Sequence, residues 1–164
     1  MPNGDLEADA ASGPEFWFYH LESRSLAQTL PELLERTLQR GWRAYVHGAD
    51  DERLEALNAH LWTYAPASFL AHGLESEPNA AQQPVLLGDS GSLSNAPDVY
   101  LSVAPVNLPD SGAMASLQRC LIVFEGGDDG HLGWARSLWK QLKGEGRRLA
   151  YWKQNDNGRW EKIQ

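Results

Sequence analysis

The sequence predicts a single α/β domain with a central, mostly parallel or mixed β-sheet and helices on both of its faces. Two observations carry this prediction. Short runs rich in β-branched and aromatic residues alternate with amphipathic stretches of helical spacing, and a chain of 164 residues suits one domain. The predicted strands cover residues 16–21, 43–47, 84–87, 99–103, 120–124, 148–154 and 158–163.

The last two predicted strands form a C-terminal β-hairpin. They are separated by the segment Asn-Asp-Asn-Gly at residues 155–158. An Asn-Gly step suits the positive φ angles of a tight turn, so the two strands are expected to pair with each other.

The first predicted helix carries leucines at helical spacing from Leu26 to Leu38 and ends before Gly41. Pro31 lies inside this pattern and has no backbone N–H to donate. The sequence therefore predicts either a bend at Pro31 or a later start of the helix.

Two further helices begin at acidic residues. The second opens on residues 50–52, whose negative charges favour a helix N-terminus. The third follows Asp128 and Asp129 and stops near Gly144 or Gly146. The acidic residues are interpreted as helix caps rather than as catalytic groups.

The N-terminal segment 1–14 is small, acidic and punctuated by Gly and Pro, so it is predicted to be a disordered extension of a domain spanning residues 15–164. It has neither the basic start nor the apolar stretch of a signal peptide, and no segment approaches the roughly 20 apolar residues of a membrane span. Cys120, the single cysteine, lies in an apolar run and is predicted to be buried. These features predict a cytoplasmic protein.

An acidic body is joined to a basic, aromatic end. Residues 132–164 hold eight of the 14 Lys/Arg and four of the seven Trp residues with a net charge of +5, whereas residues 1–131 carry −13 and the whole chain −8. A net charge of −8 repels a polyphosphate at long range, so an acidic peptide is favoured over a long nucleic acid as the partner.

The third helix places an aromatic ring beside cations. Its predicted core stripe consists of Leu132, Ala135, Leu138, Trp139 and Leu142. On the side of Trp139 the stripe is bordered by Arg136, Lys140 and Lys143. This arrangement suits an acidic peptide with a bulky apolar end. The alternative is a surface helix with solvated cations and a half-buried core tryptophan.

Several segments resemble the chi subunit family of bacterial DNA polymerase III, in an order and spacing that cover residues 16–162. They are Phe-Tyr-His-Leu at 18–21, Leu-Leu-Glu-Arg at 33–36, Arg-Gly-Trp-Arg at 40–43, Leu-Asn-Ala-His-Leu-Trp-Thr-Tyr at 57–64, Pro-Ala-Ser-Phe-Leu-Ala-His-Gly at 66–73, Leu-Ala-Tyr-Trp-Lys-Gln at 149–154 and Gly-Arg-Trp-Glu at 158–161.

The resemblance implies an α/β fold of mononucleotide-binding-like (Rossmann-like) topology without catalytic activity. It implies an accessory subunit that binds the acidic C-terminal tail of single-stranded-DNA-binding protein, which ends in phenylalanine, and links it to the clamp loader through the psi subunit. Contact with nucleic acid is then indirect, no cofactor is expected, and the isolated chain is expected to be a monomer. The spacing of the five histidines predicts no metal site.

The family's tail site contains an Arg followed three residues later by an aromatic-Lys pair, which correspond to Arg136, Trp139 and Lys140. Trp139 replaces the Tyr of some members and keeps a flat apolar surface. Phe69 matches a family position near this pocket, and Tyr151 occupies a nearby strand position. Core packing is the alternative role for both.

One basic position of some family members corresponds here to Leu132 or His131. Part of the electrostatic contact is therefore missing, and Lys143 is the residue available to compensate for it.

Two other function classes remain open. A small nucleotide-dependent enzyme would use strand-to-helix loops such as Gly-Gly-Asp-Asp-Gly at 126–130, although two aspartates repel phosphate. Direct binding of single-stranded DNA would use Arg147, Arg148, Lys153 and Arg159. Two surface loops are predicted at about 73–83 and 90–98. The segment Gly-Asp-Ser-Gly at 88–91 is similar to a trypsin-like nucleophile segment, but it lies in a Ser/Gly-rich loop of an α/β chain too short for that fold.

Overall fold

The computed structural model describes residues 13–64 and 70–164, and within them eight strands form one sheet. The strands are β1 (Glu15–Leu21), β2 (Ala44–His47), β3 (His72–Leu74), β4 (Val85–Gly88), β5 (Val99–Ser102), β6 (Arg119–Glu125), β7 (Leu149–Gln154) and β8 (Trp160–Lys162). The helices are α1 (Leu26–Gln39), α2 (Asp51–Thr63), α3 (Ser111–Met114) and α4 (Asp129–Gly144), with a 3₁₀ turn at Ala80–Gln82.

The strand order is β3-β4-β2-β5-β6-β1-β7-β8. Neighbouring strands run parallel from β3 to β7, and β8 pairs antiparallel with β7. Helices cover both faces, as a parallel sheet requires. The predicted α/β class, the mostly parallel sheet of Rossmann-like type and the C-terminal hairpin are confirmed.

Strand β1 supplies side chains to both faces of the sheet. Because successive residues of a strand point to opposite sides, Phe16 and Phe18 pack in the core beside α4, whereas Tyr19 and Leu21 pack in the core beside α1 and α2. The predicted burial of Cys120, in β6, is confirmed, and it lies on the α4 side.

Helix α1 begins at Leu26 despite the proline inside it. Ser25 caps the helix through a capping box with Gln28. Pro31 cannot donate to the carbonyl of Ala27, one turn earlier, but Nε2 of His60 from α2 lies 2.6 Å from that oxygen. A side chain of the neighbouring helix thus satisfies the group that the proline leaves unpaired, and the later start considered from the sequence does not occur.

The acidic helix starts are confirmed as caps. The side chain of Asp50 accepts a hydrogen bond from the backbone N–H of Arg53, and that of Asp128 accepts one from the N–H of His131. Asp129 lies in the first turn of α4, where a negative charge complements the helix dipole.

The hairpin turn uses the residues that the sequence indicated. The side-chain oxygen of Asn155 accepts from the backbone N–H groups of Asn157 and Arg159, and Gly158 has φ of +76°. Only glycine adopts that conformation without strain, so the turn depends on it.

Two elements depart from the sequence-based prediction. The loop predicted at residues 73–83 is wrong at its start, because Gly73 and Leu74 belong to the edge strand β3. The short helix α3 was also not predicted. Neither three strand residues nor four helical ones contain enough of a repeat to be recognised.

Residues 1–12 of the predicted N-terminal extension lie outside the described residues. Gly13, the first described residue, accepts a hydrogen bond from the side chain of Arg148 at 2.6 Å. In the described residues no helix is both long and apolar enough to span a bilayer.

Candidate functional site

A pocket of about 440 Å³ opens between α4 and strands β1, β6 and β7. Helix α4 crosses this face of the sheet and turns Trp139 towards β1 and β7. The lining residues, which we call the Trp139 pocket, are Phe18, His20, Phe124, Ala135, Arg136, Trp139, Tyr151, Lys153, Ile163 and Gln164.

Trp139 is held by two other rings and remains half-exposed. Its ring meets Phe18 edge to face at 5.1 Å between centroids, and it meets Tyr151 in the same manner at 5.7 Å. Such perpendicular ring pairs are favourable in themselves. They also fix the indole as one wall of an apolar hollow whose floor, Phe18, is fully buried.

The predicted cations divide into two groups. Arg136 is exposed and lines the pocket, whereas Lys140 and Lys143 are exposed but do not line it. Lys143 stands in the last turn of α4, where a cation complements the helix dipole. No ion pair forms at Arg136 within residues 13–64 and 70–164, so its charge is uncompensated there.

Lys153 and His20 also line the pocket, although neither was predicted from the sequence to belong to this site. Lys153 follows Tyr151 by two residues in β7, and His20 follows Phe18 by two in β1, so each shares a sheet face with its partner. This spacing was the signal that would have found them. Lys153 pairs with Glu22 at 3.2 Å.

The inner end of the pocket holds a hydrogen bond between His20 and Tyr151. Nδ1 of His20 lies 2.6 Å from the Tyr151 hydroxyl. Burial lowers the pKa of the His20 imidazole, and nearby Lys153 and Arg136 add to this against the opposing charge of Glu22. The ring is therefore neutral at physiological pH. Burial also raises the pKa of Tyr151, which stays a neutral phenol.

Gly126 is required by the position of His20. A Cβ at residue 126 would collide with the imidazole ring. In the glycine-rich segment at 126–130, Gly126 thus leaves room for His20, and Asp128 caps the N-terminus of α4. These contacts account for the segment without a bound phosphate.

The predicted core stripe of α4 is confirmed in part. Ala135, Leu138 and Leu142 are buried as predicted, whereas Leu132 and Trp139 are only half-buried. His131 is buried instead, beside Phe124. Burial lowers the pKa of His131, so this position supplies no cation to the pocket.

Tyr151 lies at the predicted place in β7 and lines the pocket, so it takes part both in packing and in the pocket wall. Phe69 lies outside the described residues. Its proposed contribution stays a prediction.

Ser90, in the Gly-Asp-Ser-Gly segment at 88–91, and the nearby His47 have other partners. Ser90 Oγ donates to the Glu75 carboxylate at 2.7 Å. His47 places Nδ1 2.5 Å from the Tyr100 hydroxyl and Nε2 3.1 Å from the carbonyl of Asp89. Neither ring nitrogen is bonded to Ser90, so the loop at 88–91 is held as a structural network.

Three of the basic residues considered for direct DNA binding have different surroundings. Arg148 pairs with Glu15 at 3.3 Å, and Arg147 lines a separate groove between α4 and the segment 106–111. Lys153 lies in the Trp139 pocket. No group of three or more His, Cys, Asp or Glu able to hold a metal ion occurs in the described part of the chain.

The fold and the site together define a small α/β domain whose sheet carries an open aromatic pocket with cations at its rim. Comparison with known proteins agrees with this class. A family model described as "DNA polymerase III chi subunit, HolC" matches residues 14–150.

Two curated relatives bear the same name. The chain is 26% identical over 94 residues to the probable DNA polymerase III subunit chi of Rickettsia prowazekii, covering 57% of each chain. It is 29% identical over 93 residues to the DNA polymerase III subunit chi of Pseudomonas aeruginosa, covering 55% of this chain and 64% of the relative. The chain thus spans less than two thirds of the length of each relative.

This chain belongs to the DNA polymerase III chi subunit family. The resemblance identified from the segments at 18–73 and 149–161 is confirmed at the level of the family. The family match ends at residue 150, one residue before Tyr151.

Proposed function

We propose that this chain is a non-catalytic accessory subunit of DNA polymerase III that binds the acidic C-terminal tail of single-stranded-DNA-binding protein in the Trp139 pocket. Through the psi subunit it links that tail to the clamp loader. The observation that carries the proposal is one apolar hollow with an uncompensated Arg136 at its edge and the half-exposed indole of Trp139 as its wall.

The hollow suits the phenylalanine at the end of such a tail. Phe18 and Phe124 form the apolar base, and a ligand ring placed there meets further rings of Trp139 and Tyr151. Because the bound ring leaves water for an apolar surface, each Å² buried contributes roughly 25 cal/mol. Aromatic contacts add specificity for a flat side chain over an aliphatic one.

The acidic residues of the tail pair with the cations at the rim. Arg136 presents a planar guanidinium that binds a carboxylate with two parallel hydrogen bonds. Lys153 of β7 lines the pocket but is shared with Glu22, and Lys140 of α4 is an exposed charge outside the lining. Binding should accordingly weaken with salt, since rim charges are screened.

The experiment is a calorimetric titration of the whole chain with a synthetic acidic peptide that ends in phenylalanine. Micromolar-range affinity is expected. The matched control peptide carries alanine at its last position and is expected to bind about tenfold more weakly or worse, because it loses the buried ring.

Variants of the chain locate the site. Arg136→Ala should lower peptide affinity about tenfold, and Lys140→Ala should lower it by a smaller factor because Lys140 does not line the pocket. Arg24→Ala is the control, since it removes the same charge from an exposed residue that pairs with Glu32 near α1. Equal affinity for the wild type, Arg136→Ala and Lys140→Ala would overturn the proposed site.

The link to the clamp loader is tested separately. The tagged chain should retain psi and other clamp-loader subunits from a lysate of the parent bacterium, and it should do so equally with the Trp139→Ala variant if the tail pocket and the psi surface are distinct. Loss of these subunits from wild-type eluates in repeated experiments would contradict the link without affecting the tail site.

A further inference from the structure

A second aromatic pocket, of about 280 Å³, lies on the opposite face of the sheet from the Trp139 pocket. It opens near the first residues of β1, β5 and β6 and the last turn of α1. The residues that line it, which we call the Arg119 pocket, are Trp17, Tyr19, Leu33, Arg36, Thr37, Gln39, Arg40, Trp42, Val99, Arg119 and Leu121.

Arg119 is held against two indole rings. Its guanidinium carbon lies 3.8 Å from the centre of the Trp17 ring and 5.5 Å from that of Trp42, while Arg40 lies 5.1 Å from the Trp42 ring. A guanidinium stacked on a ring keeps the N–H donors along its edge available. The rings therefore orient Arg119 without using its hydrogen-bonding capacity.

The three arginines of the pocket have no acidic partner in the described residues. No ion pair or side-chain hydrogen bond forms at Arg36, Arg40 or Arg119 within residues 13–64 and 70–164, and Nε of Arg119 is buried without a hydrogen bond there. A buried donor without an acceptor is costly, so it marks a place where a ligand acceptor would be stabilising.

Glu15, the acidic side chain whose charge acts on Arg119, is already engaged. Glu15 accepts from Nε1 of Trp17 at 2.9 Å and pairs with Arg148 at 3.3 Å. Burial lowers the pKa of the Arg119 guanidinium, and the like charge of Arg40 lowers it further, whereas the charge of Glu15 acts in the opposite direction. The cations are thus close enough to repel one another.

The dipole of α1 does not explain why three arginines lie together in the Arg119 pocket. Arg36 and Arg40 stand at the C-terminal end of α1, where cations complement the helix dipole. Arg119 comes from β6, a different element, and brings a third positive charge to the same opening. A structure that gathers three like charges is stabilised when an anion neutralises them.

We infer that the Arg119 pocket binds a phosphate group, with Arg119 as the oriented central ligand and Arg36 and Arg40 as flanking cations. A phosphate offers more acceptor oxygens and more negative charge than a carboxylate, so it matches three guanidinium groups better. The half-exposed indole of Trp42 adds a flat surface on which a base attached to that phosphate can stack.

The source of the phosphate is either a free nucleotide or one residue of single-stranded DNA. The net charge of −8 disfavours many simultaneous phosphate contacts, so only one or two are expected. The Arg119 pocket lies on the opposite face of the sheet from the Trp139 pocket, and this inference does not depend on the function proposed for the Trp139 pocket.

The test uses the whole chain and three probes: inorganic phosphate, deoxythymidine monophosphate and a short single-stranded oligothymidylate. Calorimetry measures the first two and fluorescence anisotropy the third, at physiological salt. Arg119→Ala should weaken binding about tenfold or more, because it removes a charge-assisted bidentate contact. Arg53→Ala is the control, since it removes an equal charge from an exposed residue paired with Glu125 at the other end of β6.

Tighter binding of the mononucleotide points to a free nucleotide, and tighter binding of the oligomer points to DNA. Both support the phosphate site. If Arg119→Ala does not fold, Arg40→Gln, at an exposed position, must show the loss instead. The inference is overturned if no probe binds the wild type, if the Arg53→Ala control weakens binding as much as the pocket variants, or if the folded pocket variants bind the probes as tightly as the wild type.

Discussion

The two aromatic pockets of this domain use the same residue types in opposite ways. In the Trp139 pocket the rings meet one another edge to face, and Arg136 stands at the rim. In the Arg119 pocket the guanidinium groups themselves lie over Trp17 and Trp42. Rings packed on rings leave an apolar hollow, whereas rings packed on guanidinium groups leave oriented donors.

Strand β1 connects the two pockets while keeping them apart. Phe18 forms the base of the Trp139 pocket, and its neighbours Trp17 and Tyr19 line the Arg119 pocket. The alternation of a single strand therefore supplies two chemically different sites. We therefore expect the partner of an aromatic ring to decide whether a cationic-aromatic pocket selects an apolar side chain or an oxyanion.

The largest expected effect is on stability, from removing the base of one pocket. Phe18 is fully buried, so Phe18→Ala should lower the free energy of unfolding by about 3–5 kcal/mol, because it loses burial and leaves a cavity. Trp17→Ala, at a half-exposed position, should cost less. Urea denaturation measures the free energy of unfolding of both variants. A greater loss of stability from Trp17→Ala than from Phe18→Ala would contradict this prediction.

The next largest effect is a loss of peptide binding that is confined to variants of the Trp139 pocket. Trp139→Ala should lower the affinity for the acidic peptide by about thirtyfold or more, as expected of a central aromatic anchor, and Trp42→Ala should leave it unchanged. Trp139→Phe retains a ring and should recover most of the affinity. Calorimetry measures the affinity of each variant for the peptide. Equal losses of affinity from Trp139→Ala and Trp42→Ala would show that the two pockets do not act separately.

A smaller effect separates the cations of the Trp139 pocket. Lys153 lines the pocket and Lys140 does not, so Lys153→Ala should weaken peptide binding about threefold to fivefold and Lys140→Ala by less. Both losses should shrink at high salt. A larger loss of affinity from Lys140→Ala than from Lys153→Ala would show that the family pattern, which assigns Lys140 to the tail site, predicts the contacts better than the lining of the pocket does.

The smallest effect is on stability as a function of pH. Burial lowers the pKa of His20, His47 and His131 below 6.5, so the unfolded chain binds more protons than the folded one just below that pH. The stability that these neutral rings contribute is complete above about 6.5 and is lost as the pH falls towards their lowered pKa values.

Urea denaturation at neutral and mildly acidic pH measures this dependence. The free energy of unfolding should decrease on acidification, and it should decrease less in His131→Gln, which cannot titrate at that position. Identical pH dependence of the free energy of unfolding in the wild type and the variant would show that His131 does not contribute to it.

Most of the fold could be predicted because its signals are local. The strands of β-branched and aromatic residues, the caps at Asp50 and Asp128 and the turn at Gly158 each follow from a few neighbouring residues. Strand β3 could not be predicted, because three residues at an edge form a strand only through pairing with β4. The carbonyl of Ala27 finds His60 of another helix, which no local pattern shows.

The candidate site was predicted in part for the same reason. The helical spacing of Arg136 and Trp139 placed them together, but the spacing alone could not tell which of the flanking lysines faces the hollow. Lys153 and His20 enter the pocket from strands that are adjacent in space and distant in sequence. The Arg119 pocket was not predicted at all, because its arginines and tryptophans come from β1, α1, β6 and the segment that follows α1.

The most direct test is an NMR titration of the nitrogen-labelled chain with the acidic peptide that ends in phenylalanine, following the indole N–H signals of the seven tryptophans. The Trp139 signal should shift and saturate with the peptide, while those of Trp17 and Trp42 stay in place. Saturating shifts at Trp17 or Trp42 with none at Trp139, or no shift at any indole, would contradict the assignment of the tail to the Trp139 pocket.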